Sequence, residues 1–257
     1  MEFSSCPQGE SVPRFQDRAL DELRPSLIER DFTQMALGSA LISVGKTKVL
    51  CTASMEDRAP AWLRGSGKGW VTAEYSLLPG STPERSGREA SKGKQSGRTL
   101  EIQRLIGRSL RSVVDMSAIP EIQLVVDCDV LQADGGTRTA SIVGGFVALS
   151  DAINRLIDMN RISKRALIGQ CAAVSVGIVD EIAMLDLDYS EDVRADVDMN
   201  VVMTSDGKFV EVQGTGERTT YSKSQLDDML SLAEHGISYL MDLQNAVLSD
   251  PPKPRSK

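Results

Sequence analysis

At 257 residues, 41% apolar and 25% charged, the chain has a globular composition that excludes wholesale disorder and fibrous repeats, with room for one or two domains of roughly 150 residues. Its net charge of −7 argues, taken alone, against a polyanionic partner. The charge is segregated, however. Gly80–Arg111 carries eight basic residues (Arg85, Arg88, Lys92, Lys94, Arg98, Arg104, Arg108, Arg111) against Glu84, Glu89 and Glu101, whereas Asp180–Asp198 carries eight acids against Arg194 alone.

Residues 1–13 are polar and read as a flexible N-terminus, and residues 249–257 (Ser-Asp-Pro-Pro-Lys-Pro-Arg-Ser-Lys) as a flexible tail. Between them, 14–248 reads as one domain of two similar halves. Leu37–Val44 and Thr47–Ser54 are β-rich runs around a Gly45-Lys46 turn. Trp70–Leu77 is a further strand. Ser81–Gln95, rich in Gly, Ser and charge, reads as an exposed, mobile loop. Arg98–Val114 has the helical period, with Ile102, Leu105, Ile106, Leu110, Val113 and Val114 on one stripe and Arg104, Arg108 and Arg111 on another face. Ile122–Leu131 is a continuous apolar strand. After Gln132–Thr139 a second helix is expected from about Ala140 to Met159. Strands follow near Cys171–Val179, Ile182–Leu187, Asp198–Thr204 and Phe209–Gln213, then a helix from Ser224 to about Leu248. Strand runs interleaved with long helices indicate an α+β protein.

Several counts narrow the chemistry. No stretch approaches 18 apolar residues and the N-terminus lacks a signal pattern, so a cytoplasmic protein without a membrane span is expected. Cys6, Cys51, Cys128 and Cys171 form no CxxC pair, and the last three sit in apolar runs as buried thiols. His235 is the single histidine and lies in an apolar helical pattern, so a histidine-based triad or zinc site has almost nothing to build on. Gly65-Ser66-Gly67-Lys68-Gly69 is not a P-loop, because Gly69 replaces the required hydroxyl residue and Trp62 the earlier glycine. Chemistry here must run on carboxylates, arginines, hydroxyls or backbone.

Three constellations remain. Gly135-Gly136-Thr137-Arg138 joins a strand to a helix start, where converging amides and the helix dipole favour an anion and Arg138 offers a fork suited to phosphate. The plainer alternative is a strand–helix turn with Thr139 as N-cap and Arg138 solvated. Arg98, behind Gly97, occupies a second helix start, and two such starts suit one shared phosphate pocket. In the acidic block, Asp192 and Asp198 would stand about 20 Å apart on one strand, but a turn between Asp192 and Ala195 brings both to one spot, as Mg²⁺ sites require. A solvated acidic loop is the alternative.

Taken together, Asp21-Glu22-Leu23-Arg24-Pro25, Thr47–Ala53, Gly69-Trp70-Val71-Thr72-Ala73-Glu74-Tyr75, Gly97-Arg98-Thr99, Glu101–Arg108, Asp134–Ala140 and Asp198–Met203 closely resemble the ribonuclease PH family, from about Arg14 to Ala246. The resemblance implies a ribosomal protein S5 domain 2-like fold of two β-α halves, assembled as a homo-hexameric ring (a trimer of dimers). It implies a phosphate-dependent 3′→5′ exoribonuclease (tRNA nucleotidyltransferase) that trims tRNA precursors and rRNA 3′ ends. It also implies inorganic phosphate held by Arg98, Gly136, Thr137 and Arg138, Mg²⁺ at the catalytic pair Asp192 and Asp198, and RNA contacts from Arg85, Arg88, Lys92 and Lys94. Two departures stand out: Gly80 where relatives often carry Arg, and Gln16-Asp17-Arg18 for the usual Asp-Gly-Arg.

Overall fold

The computed structural model describes residues 14, 17–162 and 166–255; the expected N-terminal segment 1–13 lies outside them. Nine strands and four α-helices are described: β1 Ser26–Arg30, β2 Gly38–Val44, β3 Thr47–Glu56, β4 Trp70–Leu77, α1 Gly97–Arg111, β5 Gln123–Gln132, α2 Thr137–Asp158, β6 Cys171–Val179, β7 Ile182–Leu185, α3 Tyr189–Asp192, β8 Val197–Thr204, β9 Phe209–Gly216 and α4 Lys223–Leu248. The α+β expectation holds. The strands form a five-stranded sheet in the order β1-β2-β3-β5-β4 and a four-stranded sheet in the order β7-β6-β8-β9. All neighbours are antiparallel except β4 and β5, which α1 joins as a parallel crossover.

α2 is the centre of the molecule. It packs on β2, β3 and β5 of one sheet and on β6 of the other, which is why Ile142, Val147, Leu149 and Ile153 are all fully buried. Among the described residues it is the one helix long and apolar enough to cross a membrane, but 89% of that window is buried inside the protein. Gly144 lets the helix approach the first sheet, since a Cβ there would meet Ile42 Cγ2 at 2.8 Å. α4 closes the second sheet, packing on β6, β7 and β8. The fully buried Gln244 ties these layers, its Nε2 donating to Val143 O at 3.0 Å and Cys171 O at 3.1 Å. Both halves thereby share one continuous apolar core. Cys51, Cys128 and Cys171 are free and buried as expected, and burial pushes the Cys171 thiol up to about 12.

The observed elements depart from the expected ones in five places. β1 was not foreseen. α2 begins at Thr137 rather than Ala140, and α1 ends at Arg111, with Val113 and Val114 buried in the turn beyond it. The Ser81–Gln95 loop is mostly exposed but structured, with a 3₁₀ turn at Glu89–Lys92. Residues 249–255, expected as a loose tail, run back to β1: Arg255 Nη2 donates to Asp31 Oδ1 at 2.8 Å, and Arg155 Nε to Lys253 O at 2.9 Å.

Candidate active site

The two helix starts are built differently. At α1, Ser96 is the N-cap, its hydroxyl accepting from Thr99 N at 3.2 Å. Thr99 Oγ1 in turn donates to Glu89 Oε1 at 2.9 Å, which fastens the basic loop to the helix. Arg98 is therefore the second residue of the first turn and is exposed. At α2 no side chain caps the helix; Gly136 does so in the left-handed region at φ 66°, a conformation open to glycine at no steric cost. Thr139, considered above as the cap, instead donates its hydroxyl to Gly136 O at 2.9 Å from inside the first turn. The first-turn amides of a helix have no intrahelical acceptor, so both starts present donors and dipole to the same space.

The Gly135-Gly136 turn is fixed by three neighbours. Thr47 Oγ1 donates to Gly135 O at 2.7 Å and accepts from Asp134 N at 2.9 Å. Gly135, at φ 76°, leaves no room for a side chain, since a Cβ would lie 2.6 Å from Leu187 O. Arg24, 1% exposed, donates to the Asp134 carbonyl and pairs with both oxygens of Asp186, Nε to Oδ2 at 2.9 Å and Nη2 to Oδ1 at 2.7 Å. One buried guanidinium thus clamps the β5–α2 turn of the first half to the β7–α3 connection of the second.

That connection carries the carboxylates. Asp188 and Glu191 form a capping box around the single turn of α3. Glu191 is also held by Arg14 Nε at 2.8 Å and Arg18 Nη2 at 3.3 Å. Asp192 ends the turn, the chain reverses through residues 193–196, and Asp198 stands on β8. Asp17, at the position where the family pattern has glycine, takes φ 53°, in the left-handed region that glycine adopts most readily.

Arg85, Arg98, Gly136, Thr137, Arg138, Asp192 and Asp198 all line one cavity of about 510 Å³. Arg88, Lys92 and Lys94 do not reach it; they are exposed along the loop. Arg138 is aimed by two partners, donating to Gln213 Oε1 at 3.1 Å and lying 3.5 Å from Glu101 Oε1. Burial, and then the charge of Asp192, push the Asp198 carboxyl up to about 6, against the pull of Arg138 and Arg98. Burial likewise raises Asp192, again opposed by Arg98 and Arg138. The site therefore combines anion-attracting arginines with two carboxylates that resist sharing it while charged.

Some residues of the site escaped sequence reasoning. Tyr75, 5% exposed, sits in the same cavity with its hydroxyl 2.8 Å from Thr137 Oγ1; a buried aromatic in a strand gave no hint of this. Arg24 and Asp186 are 162 residues apart and nothing local links them. The Asp188-x-x-Glu191 box has the local signature of a helix start, although its acidity is the more conspicuous feature of the segment. His235 is exposed on α4 beside Tyr239 and the 19–25 segment, away from the site.

Residues 22–153 match the model of the 3′ exoribonuclease family, domain 1, and residues 169–236 that of domain 2 of the same family. Among solved structures, the fold is similar to rice (Oryza sativa) Rrp46 at 18% identity, covering 91% of this chain and 100% of that one with a TM-score of 0.74. It is similar to the Archaeoglobus fulgidus exosome with RNA bound to the active site, at 21% identity, 89% and 91% coverage and a TM-score of 0.76. An archaeal exosome core gives 20% identity, 90% and 89% coverage and a TM-score of 0.70. At these identities the likeness is one of fold. The family matches go further: one covers the half that carries both arginine-bearing helix starts and the other the half that carries the carboxylates, and the chain therefore belongs to the ribonuclease PH family of 3′ exoribonucleases.

Proposed function

We propose that this chain is a phosphate-dependent 3′→5′ exoribonuclease that trims the 3′ ends of tRNA precursors and rRNA in the cytoplasm as a homo-hexamer. The observation that carries the reading is the convergence of two arginine-bearing helix starts and a strained carboxylate pair on one cavity. Inorganic phosphate is held by Arg98, Arg138, the Thr137 hydroxyl and the first-turn amides after Gly136. One oxygen of hydrogen phosphate bonds to the terminal phosphorus in line, the bond to the preceding 3′ oxygen breaks, and that oxygen takes up the proton that the attacking phosphate gives up. A nucleoside diphosphate leaves. Positioning and charge neutralisation supply most of the acceleration in such transfers, so no histidine is needed.

Mg²⁺ fits the residues present. Among the described residues no cluster of three or more His, Cys, Asp or Glu could hold a metal, but Mg²⁺ characteristically takes one or two carboxylates and completes its shell with water and substrate phosphate. Asp192 and Asp198 would hold it, their mutual repulsion being the charge that a cation relieves. When bound, the ion supplies compensation for negative charge at the scissile phosphate.

Exchange of a phosphodiester for a diphosphate is close to balanced in free energy, so the reaction should run backward. An RNA primer incubated with a nucleoside diphosphate and Mg²⁺ should lengthen and release inorganic phosphate. Failure to extend, in a preparation that shortens RNA without phosphate, would point to a hydrolase. RNA binding with neither reaction would make this a binding subunit.

A further inference from the structure

The basic face of α1 is not used up by the cavity. Arg108 is neutralised by an ion pair with Glu211 of β9, but Arg104 and Arg111 line a separate groove of about 470 Å³ between α1 and the edge strand β4. Its floor includes Trp70, whose ring lies 4.4 Å below the Arg111 guanidinium. Trp62 meets Trp70 edge-on, with ring centroids 4.8 Å apart and planes at 82°, and is itself 67% exposed. Gly97 lines this groove while Arg98, the next residue, lines the cavity. The groove therefore begins where the active site ends and follows α1 for about 20 Å to Arg111, at 1.5 Å per residue.

We infer that this groove, with Trp62 at its far end, holds the single-stranded RNA upstream of the 3′ terminus. The occupant follows from chemistry. A large exposed aromatic braced by a second ring, beside guanidinium groups, is a stacking platform for bases with an electrostatic track for the backbone. The opposing charge is small: Glu74 is the acid in the groove, and its Oε2 already accepts from Gln103 Nε2 at 2.7 Å. Because base faces are alike, the grip is independent of sequence and acts on length: substrates long enough to reach Trp62 bind better than those that fill only the cavity. This rests on RNA being the substrate, as proposed above, but not on phosphate being the nucleophile.

The test uses the full chain and labelled oligoadenylates of about three and about twelve nucleotides, the longer within the range of single-strand sites, in buffer free of phosphate. Trp62→Ala should weaken binding of the longer oligomer about tenfold, the scale of one lost base stack, and leave the shorter one unchanged; Arg104→Ala should weaken the longer one severalfold. Trp62→Phe, which keeps a ring, should bind nearly as the parent does, and the KM for phosphate should not move. Equal losses at both lengths, or none at the longer, would overturn the inference. So would a Trp62→Ala protein whose assembly contains fewer chains, since the face would then be a subunit contact. Intact length dependence without phosphorolysis would instead sink the proposed function and leave the groove standing.

Discussion

Asp198 shows the cost of holding this site together. Its carboxyl sits at about 6 in the fold against an ordinary 3.8, so the folded state disfavours the charged form. The penalty is fully present above about pH 6 and disappears as pH falls below 3.8, where folded and unfolded chains are both protonated. Asp198→Asn should therefore raise the melting temperature at pH 8 without Mg²⁺, with a gain of no more than about 3 kcal/mol, while lowering phosphorolysis by at least about a hundredfold. Thermal melts between pH 4 and 8 check this; an equal gain at both ends would show that charge is not its cause. Arg98→Ala tests the other side of the cavity. It should raise the KM for phosphate by about ten- to a hundredfold, the worth of a charge-assisted contact, and leave RNA binding nearly unchanged. Loss of RNA binding first would assign Arg98 to the wrong ligand.

At the scale of elements, the site depends on how the β5–α2 turn meets the β7–α3 connection. Arg24 and Asp186 make that contact, both nearly fully buried. Removing one partner of such a pair typically costs 3–5 kcal/mol, because the other charge is left unpaired, whereas an apolar replacement of both can be neutral. Arg24→Met should destabilise the protein by about that amount and abolish activity. Arg24→Met with Asp186→Leu should recover much of the stability, read by denaturant titration, without recovering activity, since the turn at Asp134 stays unclamped. The sequence discloses the elements of this junction far better than the junction itself. Alternation and helical period locate β2 to β9 and three long helices within a few residues, because most of their apolar faces meet one core. β1 escapes that reading: five residues with Ile28 buried and Leu27 exposed carry too short a pattern to stand out. α2 starts before the expected Ala140 because Gly136 takes the place of a side-chain cap. That Arg98, Gly136, Thr137 and Arg138 meet Asp192 and Asp198 in one cavity was legible because helix starts and paired acids have local signatures. Tyr75 and Arg24 act through partners far away in the chain, so no local signature exists for them.

Across the whole molecule, the total of −7 hides a division of labour. The basic segment splits four ways: Arg85 and Arg98 into the cavity, Arg104 and Arg111 into the α1 groove, Arg108 into an ion pair with Glu211, and Arg88, Lys92 and Lys94 onto an exposed loop. The acidic segment splits too, with Asp186 and Glu191 neutralised by buried arginines and Asp192 and Asp198 left for the site. A ring of such chains would repeat the basic surfaces around one axis, and RNA affinity should then fall steeply with salt. Sedimentation at micromolar concentration should find six chains per particle; a monomer that retains full activity would contradict the ring. Phosphorolysis is read out by incubating the protein with a tRNA carrying a 3′ extension, with and without inorganic phosphate, and identifying the released nucleotides. We expect shortening only with phosphate and nucleoside diphosphates as the product. Nucleoside monophosphates, or shortening that ignores phosphate, would contradict it.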